Sequence, residues 1–273
     1  MFAVEFAAKG THSMRIACWQ ATARRTDVPA TLLALSERAR EAADAGASLL
    51  VTPEMSLTGY HLGARRLRQL AEPVDGPMCE AVSEIAASAG IAIVHGWPEL
   101  SAGEVYNSAR LVDSSGSALA TYRKAHLFGD IDRNAFSAGN TGVVRAELDG
   151  VPVGIIICYD VEFPESVRAH ALAGTRLLLV PTALMSPWDF VAQTLVPARA
   201  FESQLFLAYT NWVGSERELS YCGRTRVVGP DGVVVAGRDS GEGLVVADLD
   251  LSLVDKARAE TTYLTDRRPE LYS

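Results

Sequence analysis

The chain has 273 residues, 48% of them hydrophobic and 21% charged, and carries a net charge of −8 with a pI near 5.2. This composition excludes a disordered or fibrous chain, and the acidic balance argues against nucleic acid as a partner. No apolar run approaches the roughly 20 residues that a bilayer-spanning helix needs, so no membrane segment is expected.

In chain order, the opening "MFAVEFAAKGTHS" sets Glu5 inside its apolar part and has no basic start, which makes a poor signal peptide. Residues 1–13 therefore read as an extension outside the core, and residues 14–273 as a single domain with no low-complexity linker. "MRIACWQ" from Met14 is the first strand pattern. "PATLLALSERAREAADAG" places Leu32, Leu33, Leu35, Ala39 and Ala42 on one side between Pro29 and Gly46, which predicts an amphipathic helix. "ASLLVTPE" is a short buried strand ending at Pro53-Glu54, and Arg65, Arg66 and Arg68 mark a solvated helix face. A further helix, "GPMCEAVSEIAASAG", leads into the strand "IAIVHG", and "YNSARLVDSSGSALATYRK" reads as two strands about a polar turn.

"GVVRAELDGVPVGIIIC" repeats that pattern about Asp149-Gly150. The helix "FPESVRAHALAG" follows, opened by Pro164 and stopped by Gly174, and then the strand "TRLLLVPTAL". A helical stretch from Pro187 to Gln204 is expected to kink or split at Pro197. "LFLAYTNW", "GRTRVVGPDGVVVAG" and "EGLVVADLD" complete the strands, and a last helix begins near Ser252. Strands outnumber helices and several form hairpins. That predicts an α/β (α+β) protein with antiparallel pairs and helix-covered faces, not a uniform βαβ alternation.

Cys18, Cys79, Cys158 and Cys222 are far apart, and neither they nor the five histidines have metal-ligand spacing, so no metal site is expected. Lone thiols predict a reducing, cytoplasmic setting. Cys158 ends the apolar run of "GIIICYDVEFPE", just before a helix start. It can be a small core hydrophobe; equally, backbone N–H groups and a helix dipole would favour a thiolate and steady an oxyanion there. No histidine stands out as its proton acceptor, and His126 reads as locally bonded. Two other strand ends carry charge. Glu54 in a partly dry pocket would have its pKa raised into the proton-shuttling range, and the Lys124 ammonium would steady a thiolate and an oxyanion. Each also has a plain reading, Glu54 as a loop cap and Lys124 as a solvated strand end.

Together, "TPEMSLTGY", "YRKAHLFGD" and "CYDVEFPE" resemble the Glu-Lys-Cys signature of the nitrilase (carbon–nitrogen hydrolase) superfamily, with separations of 70 and 34 residues that suit it. "LLLVPTAL" and "RAFESQLFLAYTNWVG" extend the likeness, which runs from about Met14 to Asp250. The resemblance implies a four-layer αββα sandwich, commonly dimerised through helices, and amide hydrolysis through a thioester with no metal or organic cofactor. In that scheme Glu54 takes the thiol proton while Cys158 attacks the amide carbon. Lys124 and the backbone N–H of Tyr159 hold the oxyanion, and Glu54 then activates water.

An acid after the lysine, usually Glu in amidase branches, maps onto Asp132 in "GDIDRNAF", where it would orient Lys124 or the substrate, or serve structure alone. Omega-amidase-like relatives place a basic residue four positions after the cysteine to hold a substrate carboxylate. Glu162 stands there and would favour a neutral or amine-bearing amide, unless it serves the following helix terminus. Tyr60, Leu184 and Trp188 are expected to shape the acyl pocket or to fill the core. "YCGRTRVVGPDG" and "CYDVEFPE" look most like the bacterial amidase branch that includes stereoselective carboxamide hydrolases. The leading expectation is a homodimeric, cysteine-dependent amidase acting on a small carboxamide. A nitrilase or an N-carbamoyl amine hydrolase would share the same triad. From other classes, the alternatives are a non-catalytic binding protein and a redox thiol resolved by Cys222.

Overall fold

The computed structural model describes residues 13–23 and 27–272. The extension expected at residues 1–13 lies outside these except for Ser13, which opens the first strand. The first half runs β1 (Ser13–Gln20), β2 (Thr22–Ala23), α1 (Val28–Asp44), β3 (Leu49–Val51), α2 (Ala64–Leu70), α3 (Pro77–Ala89), β4 (Ala92–Ser101), β5 (Glu104–Val112), β6 (Ala118–Arg123) and α4 (Gly129–Arg133). The second runs β7 (Arg145–Leu148), β8 (Val151–Ile155), α5 (Pro164–Leu172), β9 (Leu177–Pro181), α6 (Val196–Ser203), β10 (Phe206–Thr210), β11 (Val213–Glu216), β12 (Leu219–Cys222), β13 (Thr225–Val228), β14 (Val234–Arg238), β15 (Gly243–Asp250) and α7 (Ser252–Glu260).

Two six-stranded sheets, ordered β15-β1-β3-β4-β5-β6 and β14-β13-β10-β9-β8-β7, pack face to face. Period-two alternation divides the first sheet between two cores. Ile16, Cys18, Leu49, Val51 and Val94 pack with Val153, Ile155 and Leu179 of the second sheet. Their neighbours Ala17, Leu50 and Ile93 pack outward with Leu35 and Ala39 of α1 and Val82 and Ala86 of α3. Val167 and Ala171 of α5 and Val196 and Ala200 of α6 join the core from the second sheet's outer side. The layers are therefore helix, sheet, sheet, helix: the expected αββα sandwich.

One local expectation changes, one feature was unforeseen and one expectation holds. Leu33 is 64% exposed, because the buried stripe of α1 runs through Leu35, Ala39 and Ala42. A third sheet, β12-β11-β2, was not legible, since "VGSERELSYC" shows neither clean alternation nor β-branched enrichment, and its pairing with Thr22–Ala23 is long-range. The Pro187–Gln204 stretch does split, into a π-helical segment at Val191–Leu195 and α6. Pro197 lacks the N–H that would donate back along the helix, so the hydrogen-bond spacing changes beside it.

Strand direction places the chemistry. β3 runs parallel to β1 and β4, and β6 runs with β4 because two antiparallel steps separate them. β8, β9 and β10 are mutually parallel in the other sheet. The chain thus leaves β3 and β6 at one end of the first sheet, and β8 and β9 at one end of the second. Those exits carry Glu54, Lys124, Cys158 and Thr182.

Candidate active site

The exits of β3 and β6 meet through Lys124. Its Nζ donates to Glu54 Oε1 at 2.7 Å and to Asp132 Oδ2 at 2.6 Å, and all three side chains are buried. Glu54 Oε1 also accepts from Asn107 Nδ2 at 2.7 Å, and the Glu54 carbonyl accepts from Trp212 Nε1 at 2.8 Å. The second carboxylate oxygen, Oε2, is buried without a partner among the described residues. Asp132, on α4, also accepts from Tyr60 OH at 2.8 Å and the Phe128 N–H at 2.9 Å. It is fully engaged in holding Lys124 and Tyr60 and does not line the cavity described below, which favours the orienting role over direct substrate contact.

The cysteine lies on a sharper turn than expected. β8 ends at Ile155, and a tight 3₁₀ turn over Cys158–Glu162 separates the thiol from α5, which starts only at Pro164. Cys158 has φ of 46°, a left-handed conformation costing an L-residue on the order of 1 kcal/mol. This is the strand-exit geometry of a nucleophile elbow, built without flanking glycines. Asp160 braces it: Oδ2 accepts from the Ile157 N–H at 3.0 Å and Tyr122 OH at 2.9 Å. Oδ1 accepts from the His126 N–H at 2.9 Å and from His126 Nδ1 at 2.7 Å. His126 is therefore a local partner, also stacked on Phe163 with ring centroids 3.9 Å apart. Reading the sequence missed Asp160, Asn107 and Trp212. For Asp160 a signal was present: an acid just after a buried strand must find donors nearby.

Burial pushes the Cys158 thiol well above its ordinary range, and the Glu54 charge adds to that; Lys124, the Thr182 hydroxyl and the Ala183 N–H pull less strongly the other way. The helix dipole expected to favour a thiolate is not aimed at the sulfur, because no α-helix starts at the thiol, and the nearby Glu54 carboxylate acts against that form. Burial also raises Glu54 above the usual carboxylate range, only partly offset by Lys124. For Lys124, burial opposes the charge, but Glu54 and Asp132 outweigh it and hold the ammonium charged.

Cys158 opens on a cavity of about 180 Å³ whose wall includes Tyr60, Tyr159, Glu162, Leu184 and Trp188, with Phe128 and Met185. Tyr60 and Leu184 are buried, while Trp188 is 54% exposed and forms the mouth. The Glu162 carboxylate makes no hydrogen bond to the described residues and does not cap α5. Burial raises its pKa, with Lys124 and Arg199 acting against. Cys222 Sγ donates to the Leu184 carbonyl at 3.4 Å, and Cys158 and Cys222 are both free thiols. Among the described residues no group of three or more His, Cys, Asp or Glu side chains is arranged to hold a metal ion, and no helix is long and apolar enough to cross a membrane.

Known proteins share both sequence and fold. The carbon-nitrogen hydrolase family model matches residues 15–259. A Pseudomonas protegens protein named "Hydrolase in pqqF 5'region" is 48% identical over 266 residues, 96% of this chain and 92% of that one. An (R)-stereoselective amidase of a Pseudomonas species is 40% identical, over 81% of this chain and 79% of its own. An amidase from Nesterenkonia sp. superposes with a TM-score of 0.83 at 36% identity, covering 97% of this chain and 96% of that one. A variant of that amidase has been solved with the acetamide moiety of fluoroacetamide added covalently at its active-site cysteine. By sequence and architecture, this chain belongs to the carbon–nitrogen hydrolase (nitrilase) superfamily and is a hydrolase of carbon–nitrogen bonds.

Proposed function

We propose that the chain is a cysteine-dependent amidase that converts a small carboxamide to its acid and ammonia through a thioester. One observation carries this reading: three strand exits bring a thiol, a buried carboxylate with one oxygen unpartnered among the described residues, and an ammonium held by two carboxylates to the foot of one cavity. Glu54 takes the thiol proton as Cys158 Sγ bonds to the amide carbon. Lys124 and the Tyr159 N–H, in the first turn of the 3₁₀ segment where donors have no partner within the turn, stabilise the oxyanion. The proton on Glu54 passes to the departing nitrogen, ammonia leaves and the thioester remains. Glu54 then removes a proton from water as it attacks the thioester, and returns one to the sulfur as the acid forms.

A cavity of about 180 Å³ is smaller than the roughly 300 Å³ and above of drug-sized sites, which supports a short acyl group. Glu162 is the one acid on an otherwise apolar and aromatic wall, which favours neutral or amine-bearing amides over carboxylate-bearing ones. The solved amidase at 36% identity and the (R)-stereoselective amidase favour an amide, while two other relatives bear the name nitrilase, so the substrate panel includes nitriles. The test is intact-mass trapping and product analysis across amides, nitriles and N-carbamoyl amines. An acyl adduct on Cys158 with ammonia released from amides is expected, and Cys158→Ala should abolish turnover while the protein still folds. Turnover of nitriles alone, or carbon dioxide from carbamoyl amines, would assign a different branch; no adduct with any of them would point to a binding protein. Light scattering on the same sample should give about twice the 29.2 kDa chain mass, for the homodimer we infer.

A further inference from the structure

We propose that Asp160 is a positioning residue whose carboxylate ties the Lys124 segment to the Cys158 turn and so sets the ammonium relative to the sulfur. The inference deepens the amidase reading and rests on it for the roles of Lys124 and Cys158. Lys124 ends a strand of the first sheet and Cys158 follows a strand of the second, and Lys124 hydrogen-bonds to Glu54 and Asp132, not to the cysteine. Asp160 bridges the gap. Tyr122 and His126, two residues before and two after Lys124, both donate to it, and so does Ile157, the residue immediately before Cys158.

The carboxylate is fully buried and takes four donors, two on each oxygen, which accounts for an acid at this depth. The Asp160 N–H also returns to the Ile157 carbonyl at 3.0 Å, closing the turn that holds Cys158 at positive φ. A strained conformation persists only where its surroundings over-determine it. A carboxylate serving stability alone needs donors, but not donors that straddle one reactive residue and adjoin the other. None of its four hydrogen bonds goes to Tyr60, Leu184 or Trp188 on the cavity wall. Loosening the tie should therefore affect acylation more than substrate binding.

The experiment follows the pH profile of Cys158 alkylation by iodoacetamide, located by peptide mass mapping, beside kcat and KM on a small amide. His126 is half-exposed, so its variants are expected to fold. His126→Phe removes one donor to Asp160; His126→Asn restores a donor near the Nδ1 position. With Lys124 less firmly placed, the alkylation midpoint in His126→Phe should move to higher pH and the rate at pH 7 should fall at least threefold. His126→Asn should recover most of both, and Asp160→Asn should show the larger loss, on the order of 100-fold in kcat with KM within threefold. An alkylation profile unchanged in His126→Phe, or a loss that His126→Asn does not recover, overturns the proposal, as does wild-type kcat in a folded Asp160→Asn. Alkylation does not depend on the natural substrate. A wild type inactive on every amide but with the expected alkylation shifts would sink the amidase reading and keep the tie.

Discussion

Lys124 is held at 2.6 and 2.7 Å by two carboxylates in a place where burial alone would discharge it. Removing it strands Glu54 and Asp132 with no counter-charge, and breaking a buried ion pair from one side costs about 3–5 kcal/mol. Lys124→Met is thus expected to lower the Tm by many degrees in calorimetry and to bring kcat to background. Wild-type stability would mean that the two acids share a proton and need no cation. At this scale the sequence was informative about identity and silent about contact. The Glu, Lys and Cys motifs marked the three residues, whereas Asn107 and Trp212 carry no motif. They serve Glu54 only because β5 and the segment after β10 pass beside the β3 exit.

The elements keep those side chains in place by close backbone approach. Strand β4 runs beneath the turn that follows Glu54: the Leu57 N–H donates to the Gly96 carbonyl, and the Gly96 N–H donates to Ser56 Oγ, both at 3.0 Å. A Cβ on Gly96 would stand 2.6 Å from the Met55 nitrogen, a backbone atom that cannot swing aside. Gly96→Ala is therefore expected to cost about 1–3 kcal/mol and to reduce kcat by displacing Glu54. Chemical denaturation and steady-state kinetics check both, and a neutral substitution would show that the turn floats free of β4. The glycine itself is visible in "IAIVHGW", but nothing local says that another segment lies on it. The reverse holds for the β7–β8 hairpin. Asp149 and Gly150 both have positive φ, 51° and 78°, and that turn is local chemistry that the sequence states outright.

Across the whole molecule, two histidines set an acid limit. Burial holds His95 and His170 neutral, with pKa values lowered to about 3 and about 4 against 6.5 for the free side chain. The unfolded chain binds their protons first as pH falls, so stability present above about pH 6.5 is lost progressively towards pH 4. His126 has the opposite sign, because its hydrogen bond to Asp160, with Glu165 nearby, raises its pKa; its contribution is full below pH 6.5 and fades as pH rises through the raised value. His170→Asn should flatten the dependence of Tm on pH between 4 and 6.5 relative to wild type, and an equal or steeper slope would refute the assignment. What the sequence determined alone was the local and the chemical. Apolar period and turn residues marked the strands, helices and hairpins, and residue type marked a thiol, an acid and an amine able to work together. What the tertiary structure decided was everything that depends on segments far apart in the chain: the pairing of β2 with β11, the place of Asp132 behind Lys124, and the reach of Asp160 across both sheets. The physical reason is that side-chain period and turn chemistry are written within a few residues, whereas burial, charge pairing and the pKa of the thiol depend on what the fold lays beside them.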